Sequence, residues 1–365
     1  MRVLYDHQIF QMQNFGGISR YFTELMLNRD YTKTDCKISL LFSSNEHLKN
    51  KALKKSTSYF PIKYNKKYYR YINFINKHFS NINLMIADYD IFHPTFYEDY
   101  YINNNFNKPY VITVYDLINE KYPEYFHNNE VFINKKRRVI TNAKRIISIS
   151  ENTKKDIIDY YNVDESKIDV TYLAESLSSI QSIRTNDLPK NYLLYVGKRS
   201  GYKNFERFYK GINKILVSEQ DLYLVCAGGG DFNYLEKQMF NENNTAHKIK
   251  YISFNSDAKL KFLYENAIAF IFPSLYEGFG IPVLESFASG CVTCLSNTSS
   301  LTEIGGKGAL YFDPYSSDDI KSCVQHALTL DKANQYTNAG SNELTKYSWK
   351  QTLNETYDIY KKCLE

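Results

Sequence analysis

Short apolar segments of strand length alternate with helical segments along nearly the whole chain, and the alternation begins again past the midpoint. In the first half, residues 3–5, 38–42, 91–93, 110–114, 145–148 and 168–172 read as strands. Helical stretches are expected over 17–26, 130–143 and 151–161, the last with Ser150 where an N-cap belongs. A polar stretch without period, 175–189, reads as a linker. Strands resume at 192–196, 222–226, 250–252, 268–272 and 292–295, with helices at 204–216 and 281–288. Repeated strand–helix–strand units demand parallel sheets covered by helices on both faces. The expected class is therefore α/β: two Rossmann-like doubly wound domains facing a cleft.

Composition agrees with two domains: 43% of the 365 residues are hydrophobic, enough for two ordinary cores. No apolar run approaches the roughly 20 residues that cross a bilayer. The N-terminus lacks the apolar core of a signal peptide. Six scattered cysteines are too few for a disulfide framework, so a reduced, cytoplasmic setting is expected. Charge is uneven, net +9 over residues 1–150 and net −4 over 151–365.

The basic excess has a location. No acid occurs between Glu46 and Asp88, a stretch rich in lysine, tyrosine and phenylalanine. Read as a helix, it puts Tyr68, Tyr71, Ile72, Ile75 and Phe79 on one stripe, expected to face the core. Lys63, Lys66, Arg70 and Lys77 fall on the opposite face. That face is either simply solvated or a peripheral contact with anionic lipid headgroups at the inner face of the cell membrane. No nucleic-acid-binding signature accompanies it, and no nucleic-acid partner is expected.

The strongest chemical signal is Pro273-Ser274-Leu275-Tyr276-Glu277-Gly278-Phe279-Gly280-Ile281-Pro282-Val283-Leu284-Glu285. A buried strand runs into a loop with two glycines, and a helix follows with proline in its first turn. Gly278 and Gly280 let backbone approach a ligand, and the helix N-terminus at Ile281 offers amides to a diphosphate. Glu285, one turn inside the helix, is placed to accept the hydroxyls of a ribose. Glu277, across the phosphates, is placed to meet a sugar hydroxyl.

This segment resembles the paired-glutamate signature of family 4 retaining glycosyltransferases with the GT-B fold. Asp6-His7-Gln8-Ile9-Phe10, Gly16-Gly17-Ile18-Ser19-Arg20-Tyr21-Phe22, Ile149-Ser150-Glu151-Asn152-Thr153-Lys154, Tyr195-Val196-Gly197, Ser299-Ser300-Leu301-Thr302-Glu303 and Ser348-Trp349 extend the likeness over nearly the whole chain, and toward a bacterial mannosyltransferase-like branch. The resemblance implies an acceptor domain over 1–180, a nucleotide-sugar domain over 181–345 and a helix over 346–365 that crosses back to the first domain. It implies sugar transfer from a nucleoside diphosphate to a glycan or lipid-linked acceptor in surface polysaccharide synthesis, with retention, no metal and no cofactor beyond the donor.

Residues carried over are these. Lys198, Arg199 and Lys203 follow a strand, where fixed cations would stabilise a leaving diphosphate. The common arginine position corresponds to Lys198, but a related branch has arginine one residue later, so Arg199 with Lys203 is expected on the donor phosphates. Gly278, Phe279, Gly280, Ile281 and Glu285 are expected at the donor, and Glu277 among the catalytic groups. Gly16 and Gly17 open a helix whose amides would meet the donor phosphate or sugar. Asp116 ends a buried strand at the expected cleft. The family usually has histidine before it; Tyr115 stands there, and with a pKa near 10 it is a poor base. His93 ends another strand and reads equally as a sugar contact or a structural residue.

Asp88-Tyr89-Asp90 mimics a metal motif of the other major glycosyltransferase fold, but it precedes a strand of the first domain. Cys291-Val292-Thr293-Cys294 fits a buried strand better than a metal half-site. Two rivals remain: a dinucleotide-dependent enzyme, against which the missing glycine fingerprint argues, and a non-catalytic nucleotide- or glycan-binding homologue.

Overall fold

A computed structural model describes residues 1–29, 34–55, 59–62, 67–102, 108–127, 129–185 and 188–365. The chain forms two compact units, one of Met1–Leu173 with Trp349–Glu365 and one of Ala174–Ser348.

In the first unit the strands are β1 (Arg2–Tyr5), β2 (Asp35–Ile38), β3 (Phe42–Ser43), β4 (Phe60–Pro61), β5 (Ile91–His93), β6 (Val111–Val114), β7 (Arg145–Ser148) and β8 (Ile168–Val170). They pair in the orders β2-β1-β5 and β6-β7-β8, and a parallel bridge from Phe92 to Tyr110 joins the two sets. A separate pair, β3-β4, is also parallel. All four residues of β6 are buried, as expected of a strand covered on both faces. The expected strand at 38–42 is divided: β2 ends at Ile38 and β3 begins at Phe42. Ser150 caps the helix Glu151–Tyr161 as expected, its hydroxyl accepting from the Thr153 amide.

The second unit is one six-stranded parallel sheet of β9 (Asn191–Val196), β10 (Leu222–Ala227), β11 (Ile249–Ile252), β12 (Ala269–Phe272), β13 (Val292–Ser296) and β14 (Leu310–Phe312), ordered β11-β10-β9-β12-β13-β14. Its core packs Leu193, Leu224 and Ile271 against Phe208, Ile212 and Val324 of the covering helices. The stretch read as a linker is tied to this unit: Lys261 donates to the carbonyls of Leu177 (3.0 Å) and Ile180 (2.8 Å), and the Ile183 amide donates to Ala258 (3.0 Å).

One element departs sharply from expectation. The helix Tyr69–Ile86 buries Ile72, Asn76 and Ser80, while Tyr71 and Ile75, expected in the core, are exposed and Phe79 is half-buried. Asn76 explains the inversion. Its Oδ1 accepts from the amides of Leu41 (3.1 Å) and Phe42 (2.9 Å), and its Nδ2 donates to the Phe42 carbonyl (2.9 Å) and to Gln11 (3.0 Å). Ser80 donates to the Ser39 carbonyl (2.9 Å) and Asn83 to the Ser39 hydroxyl (2.9 Å). The neighbouring backbone between β2 and β3 needs polar partners, so the polar stripe turns inward. Arg70 is exposed and Lys77 half-buried; Lys63 and Lys66 lie outside the described residues.

Candidate functional site

In the second unit every strand points the same way, so all the carboxyl ends lie along one edge. The strand order reverses between β9 and β12, and the ladder between these two is limited to Leu193–Ala269 and Leu194–Phe270. Ligands of open α/β sheets bind at such a switch point, outside the carboxyl ends of the strands. The loops that leave these strands, 197–204 and 273–280, hold most of the residues the sequence singled out. They are joined directly: the Leu275 amide donates to the Tyr202 carbonyl (2.8 Å), and Asn204 Nδ2 donates to the carbonyls of Pro273 (3.1 Å) and Pro314 (2.8 Å).

Lys203 and Glu277 come together here, Nζ to Oε1 at 2.6 Å, with the two side chains only 19% and 14% exposed. The ammonium also lies 5.3 Å from the centre of the Phe272 ring and 5.0 Å from that of Tyr202. The sequence placed these two charges at separate parts of a donor; the structure makes them one charge-assisted pair.

The 273–280 loop is laced down by the segment after β13. Thr298 donates to the Leu275 carbonyl (3.1 Å), the Ser299 hydroxyl accepts from the Glu277 amide (3.0 Å), and Ser300 donates to the carbonyls of Glu277 (2.8 Å) and Phe279 (2.9 Å). Ser299 is held at φ 50°, ψ −145°, a strained conformation for serine and one that functional sites retain. These hydroxyls give the Ser299-Ser300 motif a mechanical role: they set the loop before any ligand arrives.

Gly280 caps the helix Ile281–Ala288 at φ 115°, where an L side chain is strained, and a Cβ would meet Leu301 at 3.1 Å and Val283 at 3.2 Å. Gly278 and Phe279 precede it, with Phe279 buried. Glu285 is buried one turn inside, and its Oε2 accepts from the Tyr264 hydroxyl (3.2 Å). Burial, with that carboxylate beside it, pushes the Tyr264 phenol well up, so it stays a protonated donor.

Arg199 is not where it was expected. Its side chain is 4% exposed and is committed inside the protein. Nε pairs with Glu236 (2.7 Å), Nη1 donates to the Gly228 carbonyl (3.2 Å), and Nη2 donates to the carbonyls of Gly230 (2.8 Å) and Asp231 (3.0 Å). The Phe232 ring lies 4.8 Å away. The guanidinium is thus a strut for the glycine loop after β10, where Gly229 approaches so closely that a Cβ would lie 2.3 Å from the Gly197 carbonyl oxygen. Lys198, by contrast, is exposed and has no ion-pair partner among the described residues. Of the three cations in this loop, Arg199 is paired with Glu236, Lys203 with Glu277, and Lys198 is exposed.

In the first unit the expected residues are at strand ends but are less open. His93 is fully buried: Nδ1 is 2.7 Å from the Tyr360 hydroxyl and Nε2 is 3.0 Å from Thr113 Oγ1. Burial lowers its pKa to about 3, so it is neutral. Both ring nitrogens are engaged by neighbouring side chains, an arrangement that suits the structural reading of His93. Tyr115 is also buried, and its hydroxyl has no hydrogen-bond partner. Burial pushes its phenol well above the usual value, so the hydroxyl keeps its proton. Asp116 is 39% exposed and accepts from the Ile118 amide (3.1 Å). Gly16, in extended backbone, caps the helix Gly17–Leu27, and Gly17 is exposed. The Ser19 amide in its first turn is already taken by Gln13 Oε1 (3.1 Å). Asp88 and Asp90 both pair with Arg2, the latter at 2.7 Å.

Two buried charges were not singled out as site residues by the sequence. Lys136 is fully buried, 3.0 Å from Glu120 Oε2 and 3.9 Å from Asp116 Oδ1, with the Tyr97 ring 5.3 Å away. Asp6, also buried, accepts from the Thr95 amide (2.9 Å), the Thr95 hydroxyl (2.7 Å), Gln8 Nε2 (2.7 Å) and the Tyr100 hydroxyl (3.0 Å). Their partners are remote in sequence, except for Gln8, so no local spacing marks them.

Residues 15–174 match the family model described as Glycosyltransferase Family 4, and residues 179–343 match the one described as Glycosyl transferases group 1. The chain belongs to the glycosyltransferases. It is 28% identical over 305 residues to the O-antigen chain mannosyltransferase B of Escherichia coli, a match covering 76% of this chain and 80% of the relative. It is 30% identical over 238 residues to the O-antigen chain mannosyltransferase RfbU of Salmonella typhimurium, covering 65% of each. Among solved structures, a glycosyltransferase from Rickettsia africae superposes with a TM-score of 0.71 at 16% identity, over 100% of this chain and 98% of that one. Anabaena HepE, in complex with UDP and glucose, superposes with a TM-score of 0.71 at 12% identity, over 99% of each chain. The fold is that of the GT-B glycosyltransferases, and the dinucleotide-dependent reading is set aside.

Proposed function

We propose that this glycosyltransferase is a retaining enzyme that moves a sugar, in our reading mannose, from a nucleoside diphosphate to a hydroxyl of a lipid-linked glycan during surface polysaccharide synthesis. The observation that carries the reading is the meeting of two loops at the switch point. They bring the Lys203–Glu277 pair together with the Gly280-capped helix and buried Glu285. Glu285 accepts the ribose hydroxyls, the helix N-terminus receives the diphosphate, and Lys198 and Lys203 balance its growing charge. The bond from the sugar C1 to the phosphate oxygen breaks, the acceptor oxygen bonds to C1 on the same face, and its proton passes to the leaving phosphate. The lysines supply the positive charge in this scheme, which supports a metal-independent reading. The relatives named as O-antigen mannosyltransferases support the mannosyl donor and the polysaccharide acceptor.

A thermal-shift screen against UDP, GDP, ADP, CMP and dTDP identifies the base, since a ligand bound to the folded state raises Tm. Turnover is then read as release of that nucleoside diphosphate from its sugar donor in the presence of acceptor. Binding without release would favour the non-catalytic homologue. Glu285→Ala is expected to weaken nucleotide binding by about tenfold to a hundredfold, the loss of hydrogen bonds to a charged group. Unchanged affinity in a titration would sink the donor-site assignment.

A further inference from the structure

The helix Tyr69–Ile86 presents its apolar side to solvent. Tyr71, Phe74, Ile75, Ile82, Met85 and Ile86 are all exposed, the last two at 71% and 74%. At helical spacing they fall within roughly 120° of the circumference, so they form one continuous stripe. The helix is about 27 Å long. Single exposed apolar side chains are ordinary, whereas a contiguous stripe marks a surface that docks on something. The inward side is already committed through Asn76, Ser80 and Asn83, so the stripe cannot turn into the core without leaving the Leu41 and Phe42 amides unpaired.

Charge selects the partner. No acid occurs between Glu46 and Asp88. Arg70 and Lys77 fall along the same margin of the stripe, two turns apart, Arg70 exposed and Lys77 reaching to 5.7 Å from the Tyr100 ring. A second copy of this chain would bring the same acid-free segment and hence no counter-charge. A phospholipid surface offers both requirements in layers, anionic headgroups above acyl chains. We propose that this face lies in the interfacial layer of an anionic phospholipid membrane, its apolar side chains among the acyl chains and Arg70 and Lys77 at the headgroups. The sequence suggested contact through a basic face alone; here the apolar stripe is the inserting surface and the basic margin its guide. The proposal deepens the reading of a lipid-linked acceptor, but it is tested apart from the chemistry.

The whole chain is sedimented with vesicles of phosphatidylcholine, or of phosphatidylcholine mixed with phosphatidylglycerol. Binding is expected to the mixed vesicles and to weaken with added salt. Replacing Phe74→Ser, Ile82→Ser and Met85→Ser together should reduce it by about tenfold or more, and Arg70→Gln or Lys77→Gln by about fivefold each. All variants should keep the Tm of the parent and its rate of nucleotide release with a water-soluble acceptor. Binding unchanged in the triple variant overturns the proposal, as does failure of the parent to bind. A vesicle-free dimer that the triple variant converts to monomer would also overturn it, assigning the face to a second copy. Absence of turnover in the parent, with vesicle binding intact, would count against the proposed reaction and not against this surface.

Discussion

Arg199 and Lys198 are neighbours with opposite employments, and the difference can be measured. Truncating Arg199 removes four hydrogen bonds and leaves Glu236, itself largely buried, without its partner. Arg199→Ala is expected to destabilise the protein by about 3 kcal/mol, read as a fall in the denaturant midpoint. Lys198→Ala should leave that midpoint unchanged and lower kcat by about a hundredfold, the cost of removing one group that meets developing charge. The reverse pattern, a stable Arg199→Ala variant that has lost only turnover, would restore the arginine to the donor. Spacing along the chain placed both residues after β9 but did not separate their roles. Their roles depend on the Gly228–Gly230 carbonyls and on Glu236, which folding brings to one of them.

At the scale of elements, the loop after β12 and the helix it feeds were legible, because strand, glycines, proline and helix are consecutive. The helix Tyr69–Ile86 was legible as an amphipathic helix but was read with the wrong side inward. Periodicity gives the direction of asymmetry around an axis; it does not say whether the neighbour offers apolar surface or unpaired backbone. Here the neighbour offers backbone. Asn76→Ala is accordingly expected to cost about 3 kcal/mol or more, since it strands two amides and a carbonyl. Phe74→Ser, at 63% exposed, should change stability by no more than about 0.5 kcal/mol. Urea unfolding of the two variants decides between them: equal costs would mean that the stripe packs inward after all.

At the scale of the molecule, the last helix, Trp349–Leu364, belongs to the first unit although the whole second unit separates it from Met1–Leu173 in sequence. Tyr360 reaches from it to the Tyr5 hydroxyl (3.1 Å) and to His93 (2.7 Å), closing a buried polar chain with Thr113 and Tyr21. This burial has a consequence for pH. In the unfolded chain a histidine takes up its proton near pH 6.5; in the folded core His93 does so only at about 3. Between those values the unfolded chain binds the additional proton, so His93 costs stability as pH falls from about 6.5 to about 3. The slope is at most about 1.4 kcal/mol per pH unit for one group. Urea unfolding of the parent and of His93→Gln at neutral and mildly acidic pH should show the smaller loss in the variant, and identical losses would place the acid sensitivity elsewhere.

The sequence by itself determined that this chain makes parallel α/β sheets, that the pattern occurs twice, and that a glycine-capped helix with proline in its first turn follows the strand at 269–272. Those features are written in neighbouring residues, and local backbone and burial preferences suffice to read them. Only the tertiary structure decided which charges remain available. It joined Lys203 to Glu277 across 74 positions, engaged Arg199 and His93 with buried partners, and left Lys198 and the apolar stripe of Tyr69–Ile86 open. The physical reason is the same in each case: a polar or apolar side chain acts according to the partner it meets, and folding supplies that partner from a distant part of the chain.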